Sequence, residues 1–508
     1  MGVGFLDTVV NRVEQSCGPD GIHASFVKHG KKVIAGILTT LINECISCGI
    51  FPECLKRALV VPIHKKESKD LPNNYRPISL LPCISKIFER VIYERFAFFF
   101  KTNDIISEKQ FGFRKKHSTQ NALMLLTDKL AEKMDKSETS IAIFLDLAKA
   151  FETVDHQILL EKLYHYGIRG LPLELMKSYL SGRKQCVKCD NHYSVFMDIE
   201  CGVPQGSILG PLLFIIYVND LPTTVNRSAI LFADDTCVTF SSKNTKLLIN
   251  QVNENLKLLN QWFISNKLTV NYTKTNYIVF SGNGRKDFNG TIKMGTSTLK
   301  RVSSIKYLGL MIDEDLNWKS HVSYLRSKIS SCSNIMYKLR YLVPLESCIS
   351  VYYSLFYSRI SYGIMCWGTA CHSVTNPIRV LQNKVVKAML FKPIDTRIWP
   401  LLAETCILSV NDILNLEIAK HVHKFHANSL PDVFHDQYML VSNMHSYQTR
   451  SSVNKHLAIN RTNKDIGKRT STILGATVWN SISVTMRNSS LDCFKRDYKN
   501  SLLAKYTS

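Results

Sequence analysis

The chain has 508 residues, of which 45% are hydrophobic, so it is long and apolar enough to bury large cores and is not intrinsically disordered. Lys and Arg (64) exceed Asp and Glu (41), and the formal net charge of +23 favours a polyanionic partner such as nucleic acid. No apolar run approaches the ~20 residues of a membrane-spanning helix, and the first residues lack the basic start and apolar core of a secretory signal.

Cysteine usage indicates a reducing compartment. The fifteen cysteines are an odd number spread along the chain, which does not predict a disulfide framework. Two CxxC pairs, Cys45/Cys48 and Cys186/Cys189, each resemble half of a zinc site, but neither has a second pair at the spacing of a zinc finger. Zinc therefore stays open as a minor alternative.

The first part of the chain combines a helical pattern with a basic extended segment. Apolar periodicity predicts a helix over 33–46, and β-prone composition predicts a strand over 58–63. Lys65 follows that strand, and Pro77 restricts Arg76 to an extended backbone. Two interpretations stay open: these basic side chains reach a triphosphate, or they belong to a solvated basic loop, which this segment alone favours.

A buried strand that ends at an acid is predicted next. After a helical pattern over 121–134, a nearly continuous apolar run over 140–145 leads to Asp146. Such a run is typical of a central strand with a carboxylate at its exit, where the strand meets a cavity. Asp155 directly precedes a helical pattern over 158–166, so we expect it to start that helix rather than bind a ligand.

A loop rich in Gly and Pro follows at 202–211 and opens an apolar stretch over 212–218. Glycines let the backbone approach a ligand closely, and Gln205 offers both a hydrogen-bond donor and an acceptor. The Pro-Gln-Gly-Ser core of this loop predicts a contact with a nucleotide or a template base.

Two adjacent acids stand between two β-prone apolar runs in the stretch 229–240. The pattern predicts a hairpin with Asp234 and Asp235 at its turn. Adjacent carboxylates there repel each other and lose solvation, so they favour protonation or a bound cation. A hard divalent ion such as Mg²⁺ shares oxygen ligands with phosphates and indicates phosphoryl transfer, and Asp146 would supply the third acid of a two-metal site. On this stretch alone, a turn with two solvated acids is an equal alternative.

The chain then changes from strands to helices. An amphipathic helix is predicted over 246–266, followed by a strand over 268–280 that carries Lys274 and by a strand pair that turns at Gly309. Further helical patterns cover 322–340, 345–360 and 376–390.

The C-terminal tail is basic, with 11 Lys and Arg against three Asp and Glu over 441–508. Trp479, Phe494 and Tyr498 nevertheless predict a packed module rather than a solvated tail. Just before this tail, the histidines of 421–426 are ambiguous, and a solvated histidine face is favoured over a pair of metal ligands.

Several short motifs occur in a fixed order along the chain: Arg76-Pro-Ile-Ser79, Gln110-Phe-Gly-Phe-Arg114, Phe144-Leu-Asp-Leu-Ala-Lys-Ala-Phe151, Gly202-Val-Pro-Gln-Gly-Ser207, Phe232-Ala-Asp-Asp235 and Tyr307-Leu-Gly309. This ordered set resembles the reverse transcriptases of non-LTR (LINE-type) retrotransposons, and most of all the jockey-like group. Later stretches such as Cys366-Trp-Gly368 and Val478-Trp-Asn480 are similar to the thumb and C-terminal region of that lineage.

The resemblance implies an α+β fold, a right-hand polymerase with fingers, an antiparallel-sheet palm, a helical thumb and a basic, mainly helical C-terminal region. The expected divisions are 1–140 for the N-terminal segment and fingers, 141–315 for the palm, 316–400 for the thumb and 401–508 for the C-terminal region. Residues 50–140 would complete the reverse transcriptase domain together with the palm.

The implied activity is RNA-directed DNA polymerisation from a DNA 3′-hydroxyl. By the resemblance, Asp146, Asp234 and Asp235 are the catalytic residues and hold two Mg²⁺ ions, with Mn²⁺ as a substitute. The implied partners are an RNA template, a DNA primer or target and dNTPs, with no membrane, and the oligomeric state stays open. We expect an intracellular protein, nuclear with a cytoplasmic ribonucleoprotein stage.

The resemblance also implies nucleotide-binding roles for Lys65, Arg76, Phe151, Gln205, Gly206 and Lys274. Lys65 and Arg76 would neutralise the triphosphate. Phe151 would be the steric gate against a ribose 2′-hydroxyl. Gln205 and Gly206 would contact the nucleotide and template, and Lys274 would act as general acid to pyrophosphate.

The chain departs from the family pattern in two places. Glu152 stands where relatives commonly have Asp, outside the metal triad, so we expect little effect. Elements of this type usually encode an endonuclease ahead of the polymerase, and in this sequence no such segment precedes the first motif, so we do not expect target cleavage by this chain alone.

Two other functions compete with the polymerase. A catalytically silent, nucleic-acid-binding remnant is the main alternative, although the core motifs are unbroken. A viral RNA-dependent RNA polymerase shares the paired acids, but Phe151 and the sequence around Gly202 disfavour it.

Overall fold

The computed structural model describes residues 2–11, 17–65, 68–226, 228–282, 288, 290–444 and 447–507. The chain divides into two compact units. Unit 1 comprises 1–113, 146–227 and 257–271, and unit 2 comprises 114–145, 228–256 and 272–508.

Helices and strands are interspersed up to residue 313, and helices predominate after it. The helices are α1 (Val3–Asn11), α2 (Ala24–His29), α3 (Lys31–Cys48), α4 (Cys83–Thr102), α5 (Thr119–Asp135), α6 (His156–His165), α7 (Leu171–Leu180), α8 (Gly210–Tyr217), α9 (Leu221–Thr224), α10 (Thr245–Ser265), α11 (Lys319–Leu339), α12 (Leu345–Tyr352), α13 (Ser358–Ser361), α14 (Ile364–Trp367), α15 (His372–Met389), α16 (Ile398–Glu404), α17 (Val410–His426), α18 (Arg450–Val453), α19 (Ser471–Asn480), α20 (Val484–Arg487) and α21 (Leu491–Ala504). The strands are β1 (Arg57–His64), β2 (Tyr75–Leu80), β3 (Thr139–Leu145), β4 (Leu147–Ala148), β5 (Lys184–Cys189), β6 (His192–Tyr193), β7 (Met197–Asp198), β8 (Ala229–Phe232), β9 (Asp235–Ser242), β10 (Thr269–Val270), β11 (Asn276–Ser281), β12 (Lys293–Met294), β13 (Ser297–Thr298), β14 (Lys300–Arg301), β15 (Ser304–Tyr307) and β16 (Leu310–Asp313).

Unit 1 is built around a sheet in the order β2-β1-β5-β6, with β7 also paired to β5. β1 pairs antiparallel with β2 and parallel with β5. The predicted strand over 58–63 is therefore confirmed as β1, and the helix predicted over 33–46 is confirmed as α3. The apolar stretch after the Gly/Pro-rich loop forms α8, which starts at a Pro in its first turn and is buried on almost every side.

Unit 2 contains a sheet in the order β14-β11-β3-β9-β8. The prediction of a buried central strand over 140–145 is confirmed, because β3 has neighbours on both sides and each residue from Ile141 to Leu145 is at most 4% exposed. The hairpin predicted over 229–240 is confirmed as β8 and β9, which are antiparallel with Phe232 opposite Asp235. The strand pair around Gly309 is confirmed as β15 and β16.

Helices predicted from apolar periodicity are present as well. They include α5, α6, α10, α11 and α15. The Asp155 carboxylate caps α6 by accepting a hydrogen bond from the Ile158 N–H at 3.0 Å, as predicted for a helix start. The helix predicted over 345–360 is interrupted, because α12 runs into the π-helical turn Tyr353–Tyr357 before α13.

The single strand predicted over 268–280 is wrong. The structure has two strands there, β10 and β11, and Lys274 lies in an exposed turn between them. β10 pairs with β4, whereas β11 pairs with β3 and β14. The segment must break because its two ends join different sheets, which no local sequence pattern records.

The predicted solvated histidine face is also wrong for His421 and His423, which are 6% and 8% exposed on α17. His423 packs its ring against Phe494 at 4.6 Å and donates to the Ser489 carbonyl at 2.9 Å. His426 is exposed and stacks on Trp479. Burial follows from the packing of α17 against α19 and α21, which the histidine spacing alone does not show.

The C-terminal tail forms a packed module, as the aromatic residues predict. Trp479, Phe494 and Tyr498 are 3%, 0% and 7% exposed. All fifteen cysteines are free thiols in the structure. Among the described residues, no helix is both long and apolar enough to cross a membrane.

Candidate functional site

The paired acids lie at the tip of the β8–β9 hairpin in unit 2. Ala233 adopts a left-handed φ of 57° at the turn, Asp234 follows it, and Asp235 begins β9. Both carboxyl residues are exposed. On its other edge β9 pairs with β3, where Thr236 lies opposite Leu145, and Asp146 is the next residue of the chain after Leu145.

A buried tyrosine lies beneath the hairpin. Tyr307 of β15 is 5% exposed and packs its ring against Phe144 of β3 at 5.0 Å. Its hydroxyl has no hydrogen-bond partner within the described residues. Burial raises the pKa of Tyr307 well above its usual range, and the neighbouring Cys237 and Asp235 raise it further. The phenol therefore stays neutral and keeps a proton to donate near Asp235.

The donor chemistry of the three acids suits a hard divalent ion, because carboxylate oxygens are what Mg²⁺ prefers. However, across the described part of the chain no three His, Cys, Asp or Glu side chains are grouped closely enough to hold a metal ion. The same finding covers the two CxxC pairs, so the described residues contain no zinc cluster either.

The Gly/Pro-rich loop of unit 1 is joined to the segment that follows Asp146 by backbone hydrogen bonds. The Gly202 N–H donates to the Val154 carbonyl at 2.7 Å, and the Val203 N–H donates to the Phe151 carbonyl at 2.8 Å. Gly202 has a φ of +86°, and a Cβ there would stand 2.7 Å from the Glu152 carbonyl oxygen. Only glycine permits this approach.

The other side of the loop lies against β2. The Ser79 N–H donates to the Gln205 carbonyl at 2.7 Å. Gly206 has a φ of +128°, and a Cβ there would stand 2.5 Å from the Ser79 carbonyl oxygen. The loop is therefore held between the strand that carries Arg76 and the segment that carries Phe151.

Phe151 is half-buried and its ring is fixed by two neighbours. It stacks on Phe214 of α8 with centroids 4.5 Å apart, and Phe113 meets it edge-on at 6.4 Å. Next to it, the Glu152 Oε1 accepts a hydrogen bond from the Gln205 Nε2 at 3.3 Å. Glu152 thus contacts Gln205, the glutamine predicted to bind the nucleotide. The sequence alone predicts little effect from Glu in place of Asp at this position, because residue spacing does not show that Glu152 contacts Gln205.

Glu89 is a residue that sequence reasoning missed. It is fully buried on α4, where its Oε2 accepts from the Ile208 N–H at 2.6 Å and its Oε1 accepts from the Tyr179 hydroxyl at 3.2 Å. Burial raises the pKa of Glu89, and the buried Arg183 and these hydrogen bonds oppose that rise. Glu89 therefore fixes the end of the Gly/Pro-rich loop, just before α8. Ser85 and Lys86, one turn earlier on α4, are also buried, so the helix face of Glu89 is not purely apolar and the local sequence contains no clear signal.

The remaining predicted residues are exposed. Lys65 donates its backbone N–H to the Asn74 carbonyl at 2.8 Å, and Arg76 pairs with Ile63 across β1 and β2. Both lie at the end of this strand pair. Within unit 1, the loop that carries Gln205 and Gly206 is hydrogen-bonded to the segment that carries Phe151. Lys274 belongs to unit 2.

Comparisons with known proteins show which family this part of the chain belongs to. Residues 63–312 match the family described as reverse transcriptase (RNA-dependent DNA polymerase). The chain is 30% identical over 398 residues to the probable RNA-directed DNA polymerase from transposon X-element of Drosophila melanogaster. The chain contains a reverse transcriptase domain of the non-LTR retrotransposon type.

Other relatives agree with this assignment. The probable RNA-directed DNA polymerase from transposon BS of Drosophila melanogaster is 31% identical, with 76% of this chain and 44% of that protein covered. The X-element alignment covers 77% of this chain and 43% of that relative. The RNA-directed DNA polymerase from mobile element jockey of the same species is 30% identical, and that alignment covers 77% of this chain and 44% of the relative. The chain therefore spans less than half the length of these relatives.

Among solved structures, the apo telomerase from Candida tropicalis aligns with a TM-score of 0.40 and 11% identity, covering 70% of this chain and 63% of that chain. The reverse transcriptase domain and the mixture of helices and sheets confirm the predicted α+β, right-hand polymerase fold class. The divisions into fingers, palm, thumb and C-terminal region stay predictions.

Proposed function

We propose that this chain is an RNA-directed DNA polymerase that extends a DNA 3′-hydroxyl on an RNA template. The observation that carries the proposal is the exposed Asp234-Asp235 turn on a hairpin paired to the central strand β3, inside the matched reverse transcriptase domain. The relatives that share this domain are named RNA-directed DNA polymerases. The proposed partners are an RNA template, a DNA primer and dNTPs.

We further propose that Asp146, Asp234 and Asp235 hold two Mg²⁺ ions, for which Mn²⁺ can substitute. Reverse transcriptases generally use divalent metal ions. When bound, such ions lower the pKa of the attacking hydroxyl and neutralise charge on the leaving group. The neutral Tyr307 hydroxyl adds no competing negative charge near Asp235.

The nucleotide-binding roles are also proposals. Lys65 and Arg76 are assigned to the triphosphate because both are exposed at the same end of the β1–β2 pair. Gln205 and Gly206 are assigned to the nucleotide and template, with Glu152 holding the Gln205 amide in place. Lys274 is assigned the role of general acid to pyrophosphate.

The test of the activity is primer extension on RNA and DNA templates with Mg²⁺ or Mn²⁺. Replacement of Asp234 with Ala removes a proposed metal ligand, so we expect extension to fall by more than about 100-fold while RNA affinity is largely retained. Asp436→Ala removes an exposed acid outside the site and is the matched control.

Extension by Asp234→Ala at the rate of the control would remove the metal assignment. Absence of extension by the unmodified chain, together with retained RNA binding, would favour the catalytically silent remnant. We also propose a nuclear location with a cytoplasmic ribonucleoprotein stage, which fractionation of expressing cells would test.

A further inference from the structure

A basic cavity of about 300 Å³ lies in unit 2, between the start of α5, α14 and the C-terminal part of α17. None of the proposed catalytic or nucleotide-binding residues lines it. Its ionisable lining includes Lys116, Lys420 and Lys424, with Glu417 as the acidic member. The lining therefore carries a surplus of positive charge in a concave, partly enclosed space.

The charges of this cavity are not balanced by its own residues. Lys420 is neutralised by Glu417, with an Nζ to Oε1 distance of 2.6 Å. Lys424, one turn further along α17, is half-buried, and its ammonium makes no hydrogen bond or ion pair within the described residues. Burial lowers the pKa of Lys424, and the adjacent Lys420 lowers it further, while Glu417 opposes this in part. An anion in the cavity would relieve both effects.

The part of the cavity lining formed by the start of α5 is held in place by local hydrogen bonds. The Lys116 ammonium donates to the Asn428 carbonyl at 2.8 Å, which ties the loop before α5 to the segment after α17. Ser118 caps α5 by accepting from the Asn121 N–H at 3.2 Å. The first turn of α5 adds the positive end of a helix dipole to the lysines. The cavity is therefore preorganised for a small anionic group.

We propose that this cavity binds a backbone phosphate of a nucleic-acid strand, with Lys424 as the main ion-pairing residue. The net charge of +23 favours nucleic acid over an acidic protein as the source of the anionic group. The inference rests on the proposed function only in that the partner is nucleic acid. It adds a contact on the C-terminal helices that is independent of polymerisation chemistry.

The test measures the affinity of a fluorescein-labelled single-stranded RNA by anisotropy over a KCl series. Lys424→Gln removes one phosphate contact, so the slope of log K against log salt should become shallower by about 0.7, with weaker binding at low salt. Lys392→Gln, at an exposed lysine that does not line the cavity, is the matched control. Thermal unfolding of both variants checks that they fold alike.

Equal slopes for Lys424→Gln and Lys392→Gln would overturn the inference, even if primer extension is normal. If Lys424→Gln weakens the binding of polyglutamate but leaves RNA binding unchanged, the cavity recognises an acidic protein and the inference also fails. Failure of the unmodified chain to bind RNA would overturn both this inference and the proposed function. If the unmodified chain shows no primer extension but Lys424→Gln changes the salt slope as expected, only the proposed function is overturned.

Discussion

At the residue scale, the Phe151 ring is held in one orientation by the aromatic residues packed around it. The ring is half-buried, stacked on Phe214 of the fully buried face of α8, and touched at its edge by Phe113. A ring clamped in this way keeps one orientation, so it can exclude a hydroxyl group by volume alone. A flexible side chain at the same position would move aside.

Replacement of Phe151 with Ala should admit ribonucleotides. We expect the discrimination between dNTPs and NTPs to fall by at least about 10-fold, because the loss of a contact of this size is worth roughly 1–3 kcal/mol. Single-nucleotide incorporation with each substrate measures it. Phe98→Ala, at a phenylalanine of α4 that is 72% exposed, serves as the control. Unchanged discrimination would mean that Phe151 is not the gate.

At the scale of elements, the buried carboxylate of Glu89 connects α4 to the start of α8. It accepts hydrogen bonds from the Ile208 N–H and the Tyr179 hydroxyl and lies in the field of the fully buried Arg183. Hydrogen bonds to a buried charged group are strong, and removal of one member leaves the others unsatisfied. The position of the Gly/Pro-rich loop thus depends on a helix far from it in the sequence.

Glu89→Leu should destabilise the protein more than Glu89→Gln. The Leu variant leaves the Ile208 N–H and the Tyr179 hydroxyl without their acceptor and leaves the buried Arg183 charge uncompensated, which we expect to lower the free energy of unfolding by about 3–5 kcal/mol. The Gln variant keeps one acceptor oxygen and should lose less. Urea unfolding measures both against Glu161→Gln on the exposed face of α6. A Leu variant as stable as the control would show that the connection is unimportant.

At the scale of the whole molecule, the C-terminal region is part of unit 2 rather than an appendage. The Asp135 carboxylate of α5 accepts from the Asn463 N–H at 2.9 Å and the Lys464 N–H at 2.7 Å. Asp128, two turns earlier, accepts from the Ser471 N–H at 3.0 Å and from the Ser471 hydroxyl. We infer that the C-terminal segment and the helix that precedes β3 fold as one body.

This attachment should make stability depend on pH. Burial is the main cause that raises the pKa of Asp128 to about 7. The folded chain therefore holds a proton that the unfolded chain releases near its usual pKa of about 4, so stability should fall as pH rises from about 4 to 7. Asp128→Asn cannot titrate and should lose this part of the slope.

Urea unfolding at several pH values across that range tests the expectation. Asp465→Asn is the control, since Asp465 is an exposed acid on the same segment, paired with Lys468 at 2.9 Å. If Asp128→Asn shows the same dependence on pH as the unmodified chain, Asp128 does not titrate in the folded state as proposed.

The sequence by itself determined the elements whose pattern is local. The two β-prone apolar runs around Asp234-Asp235 predict the hairpin, and the continuous apolar run before Asp146 predicts the central strand β3. Helical periodicity predicts α5, α10 and α11, because the spacing of apolar residues reflects which face of a helix is buried. The order of the motifs also determined the family.

Only the tertiary structure decided which distant residues support these elements. Asn463 and Asp135 are 328 positions apart, and Glu89 meets Ile208 across 119 positions. The break of the strand predicted over 268–280 and the burial of His423 have the same origin. Each depends on which surfaces pack together, and the free energy of that packing is a property of the assembled core that no short window of residues contains.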